Sequence, residues 1–176
     1  DASFTGCTIA NNGIGNASGF TLFGAHSGGM YNWDASPVVD SSIMKFNDGG
    51  DLQDDQPAPG GKACVVSYSD AGYAHQVFSG PGGDGSWTTI GGETPPGAGN
   101  INADPLFAYS GHNEYGLEAG SPALDTAAPG LAVPADLRGV ARPQGAGADM
   151  GAYEMVLVPV ITGCAPERAL GTDASS

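Results

Sequence analysis

The sequence has few cationic side chains and few cysteines. Lysine and arginine together number 5 against 19 acidic residues, so the formal net charge is −14. Binding to nucleic acid through counterion release requires clustered cations, and five scattered ones exclude that partner as well as an anionic membrane surface. The 3 cysteines allow at most one internal disulfide, which is too few for a disulfide-rich scaffold.

Long apolar runs and uninterrupted helical windows are also missing. The longest apolar stretch, 155–161, has the length of a strand, so no membrane-spanning helix is expected. Gly (30 residues) and Pro (13 residues) interrupt almost every window long enough for a helix. The 40% of hydrophobic residues argues against wholesale disorder. The composition therefore predicts one all-β domain of short strands and many turns.

Two hexapeptides read alike and indicate an internal repeat. Residues 7–12 and 42–47 both place a small residue first, an apolar residue third and Asn sixth, and residues 64–70 repeat the start of this pattern. Short strands separated by polar, Gly-rich spans favour a solenoid, whose coils stack at about 4.8 Å. We expect Asn12 and Asn47 to occupy a corner, to hydrogen-bond between coils and to tolerate a left-handed backbone there.

The last third of the chain carries four motifs in series. They are N-I-N-A-D-P-L-F at 100–107, G-S-P-A-L-D at 120–125, D-L-R-G followed by R-P-Q within 136–144, and D-M-G-A-Y-E at 149–154. In this order they resemble the closing region of bacterial right-handed parallel β-helix repeat proteins of the choice-of-anchor Q type. That group is related to polymorphic outer-membrane-protein repeats. The resemblance covers most of residues 7–154, with a departure at Lys45 and Phe46, where the group commonly has an aromatic residue and Gly.

The resemblance implies an all-β, right-handed parallel β-helix of about four coils with irregular C-terminal capping loops. We expect a single β-helix domain at 1–154, of which 99–154 is the closing region, and a C-terminal strand and tail at 155–176. Family members usually continue there into a sorting or anchoring segment, and none is evident in this tail.

The closing region supplies the residues that we expect to form a structural cap. Arg138 and Arg142 lie among Asp125, Asp136 and Asp149, so bidentate Arg–carboxylate pairs are expected to tie the loops together. Prolines in this region remove backbone donors and stop further strand addition. The full set of predicted cap residues is Asp104, Pro105, Phe107, Ser121, Pro122, Asp125, Asp136, Arg138, Arg142, Asp149, Gly151 and Glu154.

An acidic loop is the candidate metal site. Asp48, Asp51, Asp54 and Asp55 place four carboxylates around a flexible Gly pair, and this density of hard oxygen ligands suits Ca²⁺. The spacing is not that of an EF-hand, and a solvated acidic loop without metal is the alternative. Asn16 begins the one N-glycosylation triplet of the sequence.

Signals for catalysis are sparse. The 3 histidines have no metal-ligand spacing, and acidic pairs are uninformative in so acidic a chain. We therefore expect a non-catalytic, secreted bacterial protein of the cell surface, with a structural or adhesive role. Residues 1–4 show no evident cap, so head-to-tail self-association or continuation of a longer β-helix is expected. The alternative is a carbohydrate-binding or polysaccharide-cleaving module, in which Trp33, Trp87 or Tyr73 stacks on a sugar.

Overall fold

The structure is a computed structural model that describes residues 2–12, 28–55, 61–79, 86–108 and 115–156. Asn16 and most of the predicted C-terminal strand and tail lie outside these residues. Every regular element within them is a strand. The described part of the chain contains no helix long and apolar enough to cross a bilayer.

Nine strands form three successive three-sided coils. The first coil contains β1 (Ser3–Thr5), β2 (Thr8–Ala10) and β3 (Met30–Trp33); the second contains β4 (Val38–Asp40), β5 (Ile43–Lys45) and β6 (Leu52–Asp55); the third contains β7 (Val65–Ser67), β8 (Asp70–Ala71) and β9 (Tyr73–Ser79). The later strands are β10 (Ser86–Glu93), which pairs antiparallel with β9, and β11 (Phe107–Ala108), which pairs antiparallel with β12 (Gly116–Leu117).

Equivalent strands of successive coils pair in parallel. The sheets β1-β4-β7, β2-β5-β8 and β3-β6-β9 form the three faces of the stack. Ile101 adds an isolated parallel bridge to Asp70, which begins a fourth coil. The expected all-β parallel β-helix is therefore confirmed.

The spacing of the coils is irregular because the insertions fall at different corners. Thr8 pairs with Ile43, so the expected equivalence of residues 7–12 and 42–47 is confirmed. The expected alignment of residues 64–70 was wrong. Cys64 precedes β7 on a different face, and Ser69, which lies 27 residues after Ser42, is the true equivalent.

The coil corners turn through residues with left-handed backbone. At the corner before β2, β5, β8 and the fourth coil these residues are Gly6 (φ 60°), Ser41 (φ 52°), Tyr68 (φ 46°) and Gly99 (φ 67°). At the next corner they are Asn11 (φ 55°) and Phe46 (φ 61°). We expected the left-handed backbone at Asn12 and Asn47, but it lies one residue earlier, at Asn11 and Phe46. Because a left-handed backbone favours glycine, Phe46 stands where Gly would be unstrained.

Two apolar cores lie on opposite faces of the sheet β2-β5-β8. The core inside the coils contains Val39, Met44, Leu52, Cys64, Val66, Ala71 and Tyr73. The core outside that sheet contains Ala10, Ile43, Phe107, Leu117, Ala123, Ala127 and Met150. Adjacent side chains of a strand point to opposite faces, so Ile43 and Met44, each 1% exposed, belong to different cores. This sheet is therefore covered on both sides.

Candidate functional site

The four aspartates of the predicted calcium loop serve different places in the fold. Asp48 is exposed. Asp51 accepts the N–H of Asn47 at 3.1 Å through one oxygen and the N–H of Gly72 at 3.1 Å through the other. These bonds stabilise the turn between β5 and β6 and connect it to the third coil.

Asp54 and Asp55 are each 1% exposed and lie at the end of β6. Asp54 accepts hydrogen bonds from Asn32 Nδ2 at 2.7 Å, from the Cys64 N–H at 2.9 Å and from the Tyr73 hydroxyl at 3.2 Å. Burial, with the charge of Asp54, raises the pKa of the Cys64 thiol to about 12 and also raises that of Tyr73. Tyr73 is thus a buried partner of Asp54 and does not present its ring to a sugar.

The described residues contain no group of three or more His, Cys, Asp or Glu side chains placed to hold a metal ion. Asp55 accepts a hydrogen bond from Gln53 Nε2 at 2.9 Å. Because Asp51, Asp54 and Asp55 each bind protein donors, the predicted set does not converge on one point.

Asp136 is the centre of the closing region. Its carboxylate accepts the backbone N–H groups of Arg138 (2.8 Å), Val140 (2.8 Å) and Glu154 (3.0 Å). The Arg138 guanidinium adds two bonds, from Nε at 3.0 Å and from Nη2 at 2.9 Å. Burial raises the pKa of Asp136, but these hydrogen bonds outweigh burial and lower the pKa to about 2. Arg138 also lies over the ring of Tyr153, 5.0 Å from its centroid.

Arg142 ties a second pair of loops together. Its side chain is 2% exposed, and it donates to the carbonyls of Asp149 at 2.8 Å and Gly151 at 2.7 Å. Glu154, at 3.7 Å from Arg142 Nε, accepts the N–H groups of Gln144 and Asp149. Burial raises the pKa of Asp149, whose carboxylate accepts the N–H groups of Asp125 and Met155. Of the expected Arg–carboxylate pairs the structure contains that of Arg138 with Asp136, in which both bonds reach one oxygen. Arg142 instead bonds to backbone carbonyls and lies near Glu154.

The other predicted cap residues make local contacts. Asp104 accepts the Leu106 N–H at 2.9 Å, Ser121 Oγ accepts the Ala123 N–H at 3.1 Å, and Asp125 accepts the Gly147 N–H at 3.0 Å. Pro105 is buried and Pro122 is exposed. The buried Phe107 ring makes edge contacts with Phe46 and Tyr115, at centroid distances of 6.1 and 5.2 Å.

The closing region docks on the flank of the stack. The Gly151 N–H donates to the Ser41 carbonyl at 2.8 Å, and the Ala152 N–H donates to Thr8 Oγ1 at 2.9 Å. The Ala128 N–H donates to Ser41 Oγ at 2.9 Å. Thr8 lies on the outer face of β2, so these contacts run alongside the first two coils.

The three strands of the first coil, β1, β2 and β3, each lie at one edge of their sheet, which we call the outer edge. Within the described ranges no strand pairs with the outer edges of β1, β2 and β3. The Gly6 N–H donates to Asp40 O. Because N–H groups alternate between the two sides of a strand, the N–H of Phe4 also faces β4, while those of Ser3 and Thr5 face the outer edge.

A directional ladder of hydrogen bonds also ends at the first coil. The Cys7 N–H donates to Ser42 Oγ at 3.1 Å, the Ser42 N–H to Ser69 Oγ at 3.1 Å, and the Ser69 N–H to Asn100 Oδ1 at 3.0 Å. At the next corner Asn12 donates from its backbone N–H (3.1 Å) and from Nδ2 (2.9 Å) to Asn47 Oδ1, as expected. In this series each backbone N–H donates to the side chain of the equivalent residue in the next coil. The side chains of Cys7 and Asn12 are therefore placed to accept a hydrogen bond from the backbone N–H groups of a coil stacked before the first.

An apolar cleft adjoins this edge. It has a volume of about 380 Å³ and lies between the corner at 6–8 and the closing-region residues Val133, Ala135 and Leu137. Leu137 is 75% exposed, more than the other large hydrophobic residues of the described part of the chain. We call the outer edge of β1, β2 and β3, the side chains of Cys7 and Asn12, and this cleft the first-coil surface.

Sequence reasoning missed a buried polar cluster that spans three coils. Lys45, 7% exposed, donates from Nζ to Asn102 Oδ1 at 2.6 Å. Its Nζ also lies 3.7 Å from an oxygen of Asp70 and 3.9 Å from one of Asp51. The sequence signals were that Lys45 is one of two lysines and that it departs from the pattern of the family that the chain resembles. Neither signal identifies its partners, because coil stacking brings them together.

Compared with protein-family models, curated proteins and solved structures, the chain has no match. The β-helix assignment therefore depends on the strand pairing of the chain itself.

Proposed function

We propose that the chain is a non-catalytic structural or adhesive subunit of the bacterial cell exterior that associates head to tail through its first-coil surface. The observation that carries this proposal is the outer edge of β1, β2 and β3, where the corner ladder ends at Cys7 and Asn12. Edge strands present unpaired backbone groups that template another strand. A further coil of the same kind would satisfy them.

The shape of the contact favours a filament. A surface at the first coil meets a different surface on the neighbour, and such a heterologous contact continues indefinitely unless its rotation closes a ring. The apolar cleft beside Leu137 adds hydrophobic area to the backbone contacts. Continuation of the stack by the rest of a longer β-helix is the alternative occupant of the same edge.

The proposed family is the choice-of-anchor Q group of β-helix repeat proteins, and the proposed location is extracellular. The close packing of the closing motifs around Asp136 and Arg142 supports the family. The scarcity of lysine and the net charge of −14 support secretion and solubility outside the cell.

Ser3→Pro tests the proposal because it removes an N–H that faces the outer edge and leaves the bonds between β1 and β4. In multi-angle light scattering and negative-stain electron microscopy, the unmodified chain should form concentration-dependent polymers. Ser3→Pro should shift it to monomer, while Ser3→Thr should not. A chain that is monomeric at all concentrations, with Ser3 unaltered, would contradict the proposal.

One observation favours carbohydrate binding as a second candidate function. Trp33 is 55% exposed on the first coil and is paired in register with Asp55 of the next. An exposed indole can stack on the apolar face of a sugar ring. Slower migration in affinity electrophoresis through a neutral glycan, abolished by Trp33→Ala, is the expected sign of this activity. Unaltered migration of the unsubstituted chain would eliminate it.

A further inference from the structure

The polar cluster around Lys45 has the composition of a bond-forming site. Lys45 offers a primary amine, Asn102 offers a carboxamide, and Asp70 offers a carboxyl group that is fully buried. The amine contacts the carboxamide oxygen at 2.6 Å. Because a C=O bond is about 1.2 Å long, Nζ lies within about 4 Å of the carboxamide carbon, close to the range from which attack begins.

We propose that Lys45 and Asn102 are joined by an intramolecular isopeptide bond that forms with release of ammonia, and that Asp70 is the acid–base group of the reaction. The inference concerns the outer face of the sheet β2-β5-β8 and is independent of the proposed assembly.

The step balances without any co-reactant. Lys45 transfers a proton from Nζ to the Asp70 carboxylate, and the freed lone pair attacks Cγ of Asn102. The carbonyl electrons move to Oδ1 and return as Nδ2 leaves. Nδ2 takes one proton from Asp70 and the second Nζ proton, so the leaving group is ammonium, the protonated form of ammonia, and Asp70 is again a carboxylate. One C–N bond forms and one C–N bond breaks, and nothing is oxidised or reduced.

The environment of Asp70 suits this role. One oxygen accepts the Ala103 N–H at 3.0 Å and lies 3.7 Å from Lys45 Nζ. The other oxygen is buried and has no hydrogen-bond partner, so it is available to carry a proton. Burial raises the pKa of Asp70 to about 6, which makes its carboxylate a better proton acceptor than that of an ordinary aspartate. Asp51, the other carboxylate near Nζ, is engaged with Gly72.

The environment of Asn102 suits release of its Nδ2 amino group. Its Nδ2 donates to the carbonyls of Gly92 at 3.1 Å and Glu93 at 3.2 Å, which orients the amide. Asn102 is exposed at the surface, so the released ammonia has a direct path to solvent. The product bond would connect β5 of the second coil to the beginning of the fourth coil.

Intact mass spectrometry of the reduced, denatured chain is the first test. The expected mass lies below the sequence mass by one ammonia, about 17 Da. A mass equal to that of the sequence overturns the proposal, and a loss of one water, about 18 Da, places the bond on a carboxylate and overturns the role of Asn102.

A tryptic digest locates the bond, because cyclisation at an unrelated Asn also releases ammonia. With Lys45 blocked, trypsin should give residues 1–62 covalently joined to residues 63–138. Recovery of 63–138 as a free peptide would contradict the bond.

Three variants complete the test. Lys45→Arg keeps the positive charge and removes the nucleophile, and Asp70→Asn removes the acid–base group, so both should retain the full sequence mass. Lys62→Arg, at the other lysine, should keep the loss of ammonia. Persistence of the loss in Asp70→Asn overturns the role of Asp70. If these variants do not fold, the mass and digest of the unsubstituted chain still decide the central claim.

Discussion

Left-handed backbone at the corners places local strain on a few side chains. Ser41, Phe46 and Tyr68 all have positive φ, a conformation that costs a non-glycine residue about 1 kcal/mol. Glycine avoids this cost at Gly99, where an added Cβ would also overlap the Tyr68 ring. The corners therefore depend on both conformation and space.

Gly151 is the position where these two requirements coincide with docking of the closing region. Its φ is +88°, and an added Cβ would lie 2.7 Å from Thr8 Oγ1 and 2.9 Å from Ile43 Cδ1. Gly151→Ala should lower the free energy of unfolding by about 3 kcal/mol, through backbone strain and overpacking. Urea denaturation measures the change.

Gly139→Ala is the matched control for that substitution. Gly139 has nearly the same φ, +84°, and open space around the added Cβ. We expect it to cost about 1 kcal/mol, from strain alone. Equal effects at the two positions would show that the flank contact at Gly151 is not tight.

The carboxylate of Asp136 predicts acid sensitivity. Its pKa in the folded chain is about 2, below the ordinary 3.8, so its stabilisation is present above about pH 4 and is lost as the pH falls through about 2. The loss should amount to about 2 kcal/mol. Asp136→Asn should have a lower free energy of unfolding than the unsubstituted chain at neutral pH. Its free energy of unfolding should also fall less when the pH is lowered. Parallel slopes for the two proteins in denaturation measured across this pH range would contradict this role.

At the scale of the elements, the corner ladder holds strands too short to be stable alone. Asn100 closes it by accepting the Ser69 N–H and by donating to the Val66 carbonyl at 2.9 Å. Asn100→Ala should cost about 2 to 3 kcal/mol, because a buried donor and acceptor lose their partner. Asn12→Ala, at the next corner, where the exposed Asn12 contacts Asn47, should cost less than about 1 kcal/mol. Thermal denaturation of both variants measures the two losses of stability. A larger loss in Asn12→Ala than in Asn100→Ala would contradict the stabilising role of the hydrogen-bond ladder.

The elements also show which parts of the fold were predictable. The Asn12 and Asn47 repeats lie in equivalent corners, so two hexapeptides sufficed to predict coil stacking. The third coil was misaligned because β8 is followed after one residue by β9, which leaves no Asn corner to recognise. The Lys45 cluster was unpredictable because the register of three separate coils sets its geometry.

At the scale of the whole molecule, the closing region and the first coil have complementary roles. The motifs predicted that Asp136, Arg138 and Arg142 lie together. The same motifs carry no information about which face of the stack the closing region covers. The outer core, which contains Ile43 and Met150, fixes that position on the flank. Because the closing region packs on the flank, it leaves the outer edge of β1 uncovered among the described residues, and this is the edge through which we propose that the stack grows.

Hydrogen exchange at single amides of β1 tests that surface most directly. The Phe4 and Gly6 amides face the second coil, so they should be protected at every protein concentration. The Ser3 and Thr5 amides face the outer edge, and their protection should rise with concentration as another coil adds. Protection of Ser3 and Thr5 that does not change with concentration, while Phe4 stays protected, would contradict growth of the stack through its first coil.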